Sequence, residues 1–235
     1  MSVIAASAVA LPVDDAAVAA PVAAPSPGLA AILDHPALRR LRAPDAAPAA
    51  APAWSLTELQ GRLCELGPGA QPAVLSAAAA VVRQSQAAGE PAVWVAAGRD
   101  LVHAPDLAAA GIDLAALPVV RAGGCDAAGR AADLLLRSGA FGLVVLDLGP
   151  RAALSPPLQS RLVQLALRHE AAVLCLTAAG AGQPSLGSLV SLRAVASRRR
   201  VGPGRYVCEV TAVKDKRRGP GWRWQEVRRG PDGLC

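Results

Sequence analysis

Short, almost wholly apolar runs alternate with helical patterns along the chain from Trp54 onward. The runs occupy residues 92–96, 117–120, 141–146 and 172–176. Such runs are typical of β-strands that are covered on both faces of a sheet. Residues 62–66 alternate polar and apolar side chains instead. That alternation predicts a strand nearer the edge of the sheet.

Helical patterns separate these strands. Residues 73–88 are rich in Ala and Val, and residues 126–138 carry three consecutive leucines. Ser155, followed by Pro156 and Pro157, supplies a cap and a first turn for a third helix. Repeated strand, helix and strand in this order predict a parallel sheet with right-handed crossovers.

The pattern changes after residue 188. Three strand candidates follow, separated by Gly-Pro turns in place of helices, at 188–196, 205–213 and 222–227. Such turns favour direct chain reversals, and hence antiparallel pairing. We therefore expect an α/β domain over residues 54–230, with a mostly parallel sheet flanked by helices and an antiparallel C-terminal extension. Residues 231–235 would form a short tail.

The first 52 residues have a different composition, with 19 Ala and 8 Pro. Prolines at this frequency break helices and stiffen the chain, so we expect a mostly disordered tail. Residues 29–42 interrupt this pattern, because Leu38 and Leu41 lie three positions apart beside arginines. This spacing predicts a short amphipathic helix that binds a partner or its own domain through these leucines, or else a transient helix in the tail.

Composition excludes several classes of function. Aromatic residues make up 3% of the chain, too few for a platform on which nucleic-acid bases stack. The five cysteines are scattered without a CxxC pair, which argues against a zinc site and a disulfide framework. No basic export signal and no apolar span of membrane length is apparent. A cytoplasmic protein without metal or membrane partner is expected.

The net charge of +6 is concentrated near the C-terminus. Residues 193–230 contain 12 basic and 3 acidic residues, whereas the rest of the chain has an acidic excess. A local basic excess favours a polyanion or an acidic protein as partner.

The stretch GRLCELGPGAQPAV, residues 61–74, looks like the strand and turn that lead into a phosphate-binding loop. Such a loop uses glycine amides to surround the phosphates, a lysine to reach them, and a hydroxyl residue for magnesium. Gly67 is present, but Pro72 stands in the position of the second glycine, Ala73 in that of the lysine and Val74 in that of the hydroxyl residue. The loop has therefore lost the groups that bind nucleotide.

Over residues 54–230 the chain resembles the RecA family core. GRLCELGPG is similar to the family's GRIVEIYGP, and the run ending at Asp147 is similar to its second nucleotide-binding strand. Ser191-Leu192-Arg193 followed by three arginines is similar to the family's ASVRLDIRR, and residues 213–216 stand where the family has VKNK. The resemblance implies a RecA-like core.

The other departures from the RecA pattern also concern catalysis. Gly98 occupies the position of the catalytic glutamate and Ala178 that of the nucleotide-sensing glutamine. Asp147 remains, and an Asp that stands alone at a strand end is typical of a cap or turn. In the RecA family, two long loops that follow the strands ending at Asp147 and Leu176 bind DNA. Here these loops are reduced to about 148–155 and 178–187. We therefore expect no ATPase activity and no cofactor.

A RecA-like core with these losses, an amphipathic N-terminal helix and a basic C-terminal end is similar to the ImuA proteins. That resemblance implies a non-catalytic adaptor in the SOS response to DNA damage, acting in mutagenic translesion synthesis at the nucleoid. The implied partners are an ImuB-like inactive Y-family polymerase, an error-prone C-family polymerase, RecA and DNA. Two alternatives stay open: a divergent DNA-dependent ATPase, and a modulator of RecA filaments or SulA-like regulator.

The basic C-terminal residues are the candidate DNA contacts. They fall in two groups on neighbouring strand candidates and are expected to form one patch: Arg198, Arg199 and Arg200, with Lys214, Lys216, Arg217 and Arg218. Each phosphate that they neutralise would add salt-sensitive affinity. The alternative is a solvated charged rim. Trp222 and Trp224 would either stack on unpaired bases or form a buried stripe.

Overall fold

The structure, a computed structural model, describes residues 54–98 and 103–229. The expectations for the tail 1–52, for its helix at 29–42 with Leu38 and Leu41, and for residues 231–235 concern positions outside these ranges.

Five helices and eight strands are present in the described part of the chain. The helices are α1 Leu56–Leu59, α2 Val74–Ala87, α3 Ala104–Ala109, α4 Cys125–Arg137 and α5 Pro156–Arg168. The strands are β1 Arg62–Pro68, β2 Ala92–Ala96, β3 Val119–Arg121, β4 Leu143–Asp147, β5 Ala172–Leu176, β6 Leu192–Gly202, β7 Arg205–Asp215 and β8 Arg223–Arg229.

All eight strands belong to one sheet in the order β3-β2-β4-β5-β1-β6-β7-β8. The pairs from β3 to β6 are parallel, whereas β6 with β7 and β7 with β8 are antiparallel. The expected α/β architecture, with a mostly parallel sheet and an antiparallel C-terminal part, is confirmed at this level.

Helices cover both faces of the parallel part. One core cluster joins α1, α2 and α3 to one face of the sheet, and a second joins α4 and α5 to the other. Ala77, Ala78 and Val81 on α2 are fully buried. Small side chains at these positions let the helix approach the sheet closely, which explains an aliphatic core with few aromatic residues.

The position expected for the first strand was wrong. β1 lies between β5 and β6, well inside the sheet. Its polar residues Arg62 and Glu65 are only 2% and 1% exposed. Both are buried because distant side chains satisfy them: Arg62 pairs with Asp215, and Glu65 accepts three hydrogen bonds. Burial of charge is tolerated where it is paired and hydrogen-bonded.

Several element boundaries also differ from the sequence pattern. The strand expected at 188–196 begins only at Leu192 and continues to Gly202, so that it includes all three consecutive arginines. α1 and α3 were not predicted, because four and six residues are too few to show a helical period. α5 begins after Ser155 as expected, although that serine makes no side-chain cap hydrogen bond.

No helix in the described ranges combines the length and the apolar character that crossing a bilayer requires.

Candidate functional site

The turn that follows β1, residues 68–73, lies against β6. Gly69 and Ala73 both donate their backbone N–H groups to the carbonyl oxygen of Ala196, at 2.8 Å and 3.1 Å. Arg198 N donates to the carbonyl oxygen of Gln71 at 2.8 Å. In a phosphate-binding loop such amides are directed at the ligand. Here they are used within the protein, and the turn is closed onto a strand.

Glycines in this turn and at the end of β1 allow close packing. A Cβ on Gly67 would lie 2.0 Å from the carbonyl oxygen of Ala179, and one on Gly69 would lie 2.8 Å from the Cβ of Ser197. Neither distance is compatible with a side chain. The sequence pattern suggested that Gly67 is the relic of a nucleotide loop, whereas in the structure it allows close backbone packing.

The groove at the start of α2 is apolar. It has a volume of about 290 Å³, and its lining includes Pro68, Val74, Leu75, Leu176 and Asp147. Leu75 is 49% exposed, and α2 begins without a side-chain cap. Asp147 is half-buried at the end of β4. This groove can accommodate an apolar group. Its lining residues include the Asp147 carboxylate but no cation that could pair with a triphosphate.

A buried polar network lies beside this groove. The Glu65 carboxylate accepts hydrogen bonds from Ser185 Oγ at 2.5 Å, from Leu186 N at 3.0 Å and from Thr177 Oγ1 at 3.3 Å. Arg193 Nε lies 3.6 Å from Glu65 Oε1. The network borders a cavity of about 270 Å³. The sequence pattern did not predict this network, although Glu65 beside apolar residues of the strand was a signal.

Arg193 also holds the segment after β5 in place. Its guanidinium donates to the carbonyl oxygens of Gln183 at 2.7 Å and Gly180 at 2.8 Å. The segment 178–187 is thereby fixed over the end of β1. This is the segment that the sequence identified as the shortened second loop.

The basic residues at the end of β7 and just after it lie at the amino end of β1. Lys216 Nζ donates to the carbonyl oxygen of Ser188 at 2.7 Å, with Lys214 Nζ at 3.5 Å from the same oxygen. Arg217 donates to the carbonyl oxygen of Gln60 at 3.0 Å, and Arg218 pairs with Glu58. Burial, followed by the neighbouring Lys216 charge, lowers the pKa of Lys214. Hydrogen bonds and one ion pair within the protein therefore hold these four basic side chains.

Asp215 is at the centre of this region. Burial raises its pKa, but hydrogen bonds from Arg217 N, Trp222 Nε1 and Arg62 outweigh burial and give a net lowering. Trp222 donates to Asp215 Oδ2 at 2.9 Å, and both Trp222 and Trp224 pack against the core. Packing is therefore the observed role of the tryptophans, in line with the buried-stripe alternative.

The three consecutive arginines lie at the opposite end of the same strands. The β6–β7 register pairs Arg193 with Lys214, and Arg200 with Tyr206. At about 3.3 Å per residue, the two groups are roughly 20 Å apart. Arg198, Arg199 and Arg200 are exposed, and Arg198 lies over the Tyr206 ring at 5.9 Å. The expected single patch is two separate clusters.

The fold and these features define an α/β domain with an eight-stranded mixed sheet, a closed turn after its first strand, and basic clusters at both ends of its antiparallel part. A scan against models of protein families found no match, and a search of curated proteins found none either.

Proposed function

We propose that this chain is a RecA-like accessory protein of the ImuA type, which acts without nucleotide chemistry in damage-induced mutagenic translesion synthesis. It works as an adaptor that binds protein partners and DNA. The α/β sheet with its antiparallel extension agrees with the fold that the motif resemblance implies. The motifs occur in the same order along the chain as in that family.

One observation supports this proposal most strongly. The turn that would bind phosphates donates two of its amides to Ala196 O, and Pro72 forms a β-bridge with Ser197. A triphosphate would have to displace these contacts, without a lysine to offset its charge. Loss of the chemical groups and closure of the turn both argue against phosphoryl transfer.

An adaptor needs surfaces for its partners. The apolar groove beside Leu75 and the exposed arginines are two candidate surfaces of different chemistry on the described domain. The N-terminal leucines Leu38 and Leu41 are a third, assigned from their spacing alone. The expected protein partners are an ImuB-like inactive Y-family polymerase, an error-prone C-family polymerase and RecA.

The first test measures nucleotide binding and partner binding with the full chain. Calorimetric titration with Mg-ATP should show no saturable binding at millimolar concentration. Co-purification should show a stable complex with an ImuB-like protein in the absence of nucleotide. Tight magnesium-dependent ATP binding would overturn the proposal in favour of a divergent ATPase. A complex that forms only with RecA would favour a filament modulator.

Paired variants test the N-terminal leucines. Leu38→Asp with Leu41→Asp should weaken the complex with the ImuB-like protein. The control, Ile4→Asp with Leu11→Asp, changes two apolar residues elsewhere in the same tail and should leave the complex intact. Equal effects of the two pairs would contradict a specific role for Leu38 and Leu41.

A further inference from the structure

Six arginines come together at the far end of the antiparallel strands. They lie where β6 ends, β7 begins and β8 ends, and we call them the arginine tip: Arg198, Arg199, Arg200, Arg205, Arg228 and Arg229. Two of them, Arg228 and Arg229, are distant from the others in sequence, and the β7–β8 register brings them beside Arg205 and Tyr206. This cluster extends beyond the helices, since α4 and α5 pack against the parallel strands on that face.

Three members of the tip share one face of the sheet. Arg205 lies directly opposite Arg229 on the neighbouring strand. Arg199 lies opposite Val207, two residues along β7 from Arg205. Side chains directly opposite across a ladder are about 4.5–5.5 Å apart at Cβ, and diagonal neighbours about 7–8 Å. The three charges are therefore close together.

These three arginines have no ionic partner in the described part of the protein. No hydrogen bond or ion pair among the described residues involves their side chains. The nearest acid on this face of the described strands is Glu209, which lies four residues along β7 from Arg205 and diagonal to Arg199, and which accepts a hydrogen bond from Gln225. Like charges opposite each other on a sheet are unfavourable, and a bound anion would offset this repulsion.

The other face of the tip is different, because its arginines have partners. Arg228 pairs with Glu226, Arg198 lies over Tyr206, and Arg200 Nε donates to a carbonyl oxygen. Tyr206 belongs to this face, so no aromatic ring of the described residues lies beside Arg199, Arg205 and Arg229 for a base to stack on. Val207 and Val227 lie beside them on this face instead, and Val227 is 55% exposed.

We infer that Arg199, Arg205 and Arg229 bind the phosphate backbone of duplex DNA without regard to base sequence. Guanidinium groups match phosphate oxygens in paired hydrogen bonds. Three strands at about 4.8 Å spacing place the arginine Cα atoms across roughly 10 Å, whereas three successive phosphates of one strand cover about 7 Å along the helix axis, and the long arginine side chains can converge over that difference. The inference deepens the proposed function, because it rests on an adaptor that works at DNA. In this assignment Lys214, Lys216, Arg217 and Arg218 do not contact the DNA.

Fluorescence anisotropy with the full chain tests the assignment, using a labelled duplex of mixed sequence and a single strand of the same length. The tip variant carries Arg199→Gln, Arg205→Gln and Arg229→Gln. A matched control, Lys214→Gln, Lys216→Gln and Arg223→Gln, removes the same charge from the other end of the same strands. Binding is measured across a salt series.

The tip variant should lose affinity and salt dependence together. Each lost phosphate contact reduces the slope of log K against log salt by about 0.9, so three contacts reduce the affinity about 500-fold at about 0.1 M salt. The control should bind as the wild type does. A third variant with lysine at the three tip positions should keep the salt slope while binding more weakly. This result would show that lost positive charge, and not a change in the fold, accounts for the effect in the tip variant.

Four results would overturn the inference: a tip variant that binds like the wild type, a control that weakens as much as the tip variant, a wild type that prefers the single strand, and a wild type that binds neither probe. The tip variant should also melt at or above the wild-type temperature in low salt, because it lacks the opposed charges. Partner binding and Mg-ATP titration are independent of these readouts, so failure of the inference and failure of the proposed function are distinguishable.

Discussion

Breaking the buried ion pair between Arg62 and Asp215 should destabilise the domain strongly. Arg62 Nη2 lies 2.6 Å from Asp215 Oδ1, and the two side chains are 1% and 0% exposed. Arg62 also donates to Ser191 and to the Glu58 carbonyl oxygen. The pair joins β1 to the end of β7, and neither charge reaches solvent when its partner is removed.

The magnitude follows from the group that is left behind. Asp215→Asn leaves the Arg62 guanidinium buried without a counter-charge, and Arg62→Met leaves the carboxylate in the same situation. Loss of one partner from a buried pair costs about 3–5 kcal/mol. In the double variant no charge is stranded, so its cost should fall short of the sum of the single costs by about 1–3 kcal/mol.

Urea denaturation measures these costs. With a slope of about 2–3 kcal/mol per molar urea, each single variant should shift the midpoint downward by about 1–2 M. Single costs under about 1 kcal/mol, or strictly additive costs in the double variant, would refute the reasoning that the two charges compensate each other in a desolvated site.

Acid supplies an independent check of the same pair. Because the folded-state pKa of Asp215 lies below its ordinary value of 3.8, its contribution to stability is present above that value and is lost as the pH falls through the lower, folded-state pKa. The difference in stability between wild type and Asp215→Asn should therefore be full at neutral pH and shrink under acid. A difference that does not change with pH would contradict this assignment.

Three further predictions follow from the closed turn and the core. A variant with Gly, Lys and Thr in place of Pro72, Ala73 and Val74 should gain no Mg-ATP binding in calorimetry, because the turn amides still donate to β6. Tight binding would show that the identity of these three residues, and not closure of the turn, had prevented nucleotide binding. Gly67→Ala should lower stability by about 1–3 kcal/mol or more in urea titration, since its Cβ would meet a backbone carbonyl, and an unchanged midpoint would refute the contact. Burial raises the pKa of the Cys64 thiol to about 12, so at pH 8 this thiol should react with a thiol reagent at the rate of unfolding, and rapid labelling of folded protein would contradict its burial.

The local sequence pattern predicted the strands whose composition depends only on their own burial. β2 and β5 coincide with the apolar runs at 92–96 and 172–176, because a strand covered on both faces is apolar whatever its neighbours. The place of β1 could not be predicted in this way. Its polar residues are satisfied by Asp215 and Thr177, which lie 153 and 112 positions further along the chain.

In the candidate site, too, local residues could be predicted but contacts between distant strands could not. The missing lysine and glycine could be read from residues 72 and 73, but closure of the turn depends on Ala196 in a distant strand. The three consecutive arginines were evident, whereas their association with Arg205 and Arg229 depends on the register of three strands. Separation of the two basic clusters likewise follows from the length of β6, which the pattern cut short at residue 196.

The ion pairs of β1 also have a consequence for the order in which the protein is made. β1 is the first strand of the domain to leave the ribosome, yet both of its neighbours, β5 and β6, are translated more than 100 residues later. An exposed strand that was apolar on both faces would invite aggregation during this interval. We expect the charges of Arg62 and Glu65 to keep the nascent strand hydrated until Asp215 and Thr177 have been synthesised, so that the residues paired in the finished sheet would also protect the unfinished one.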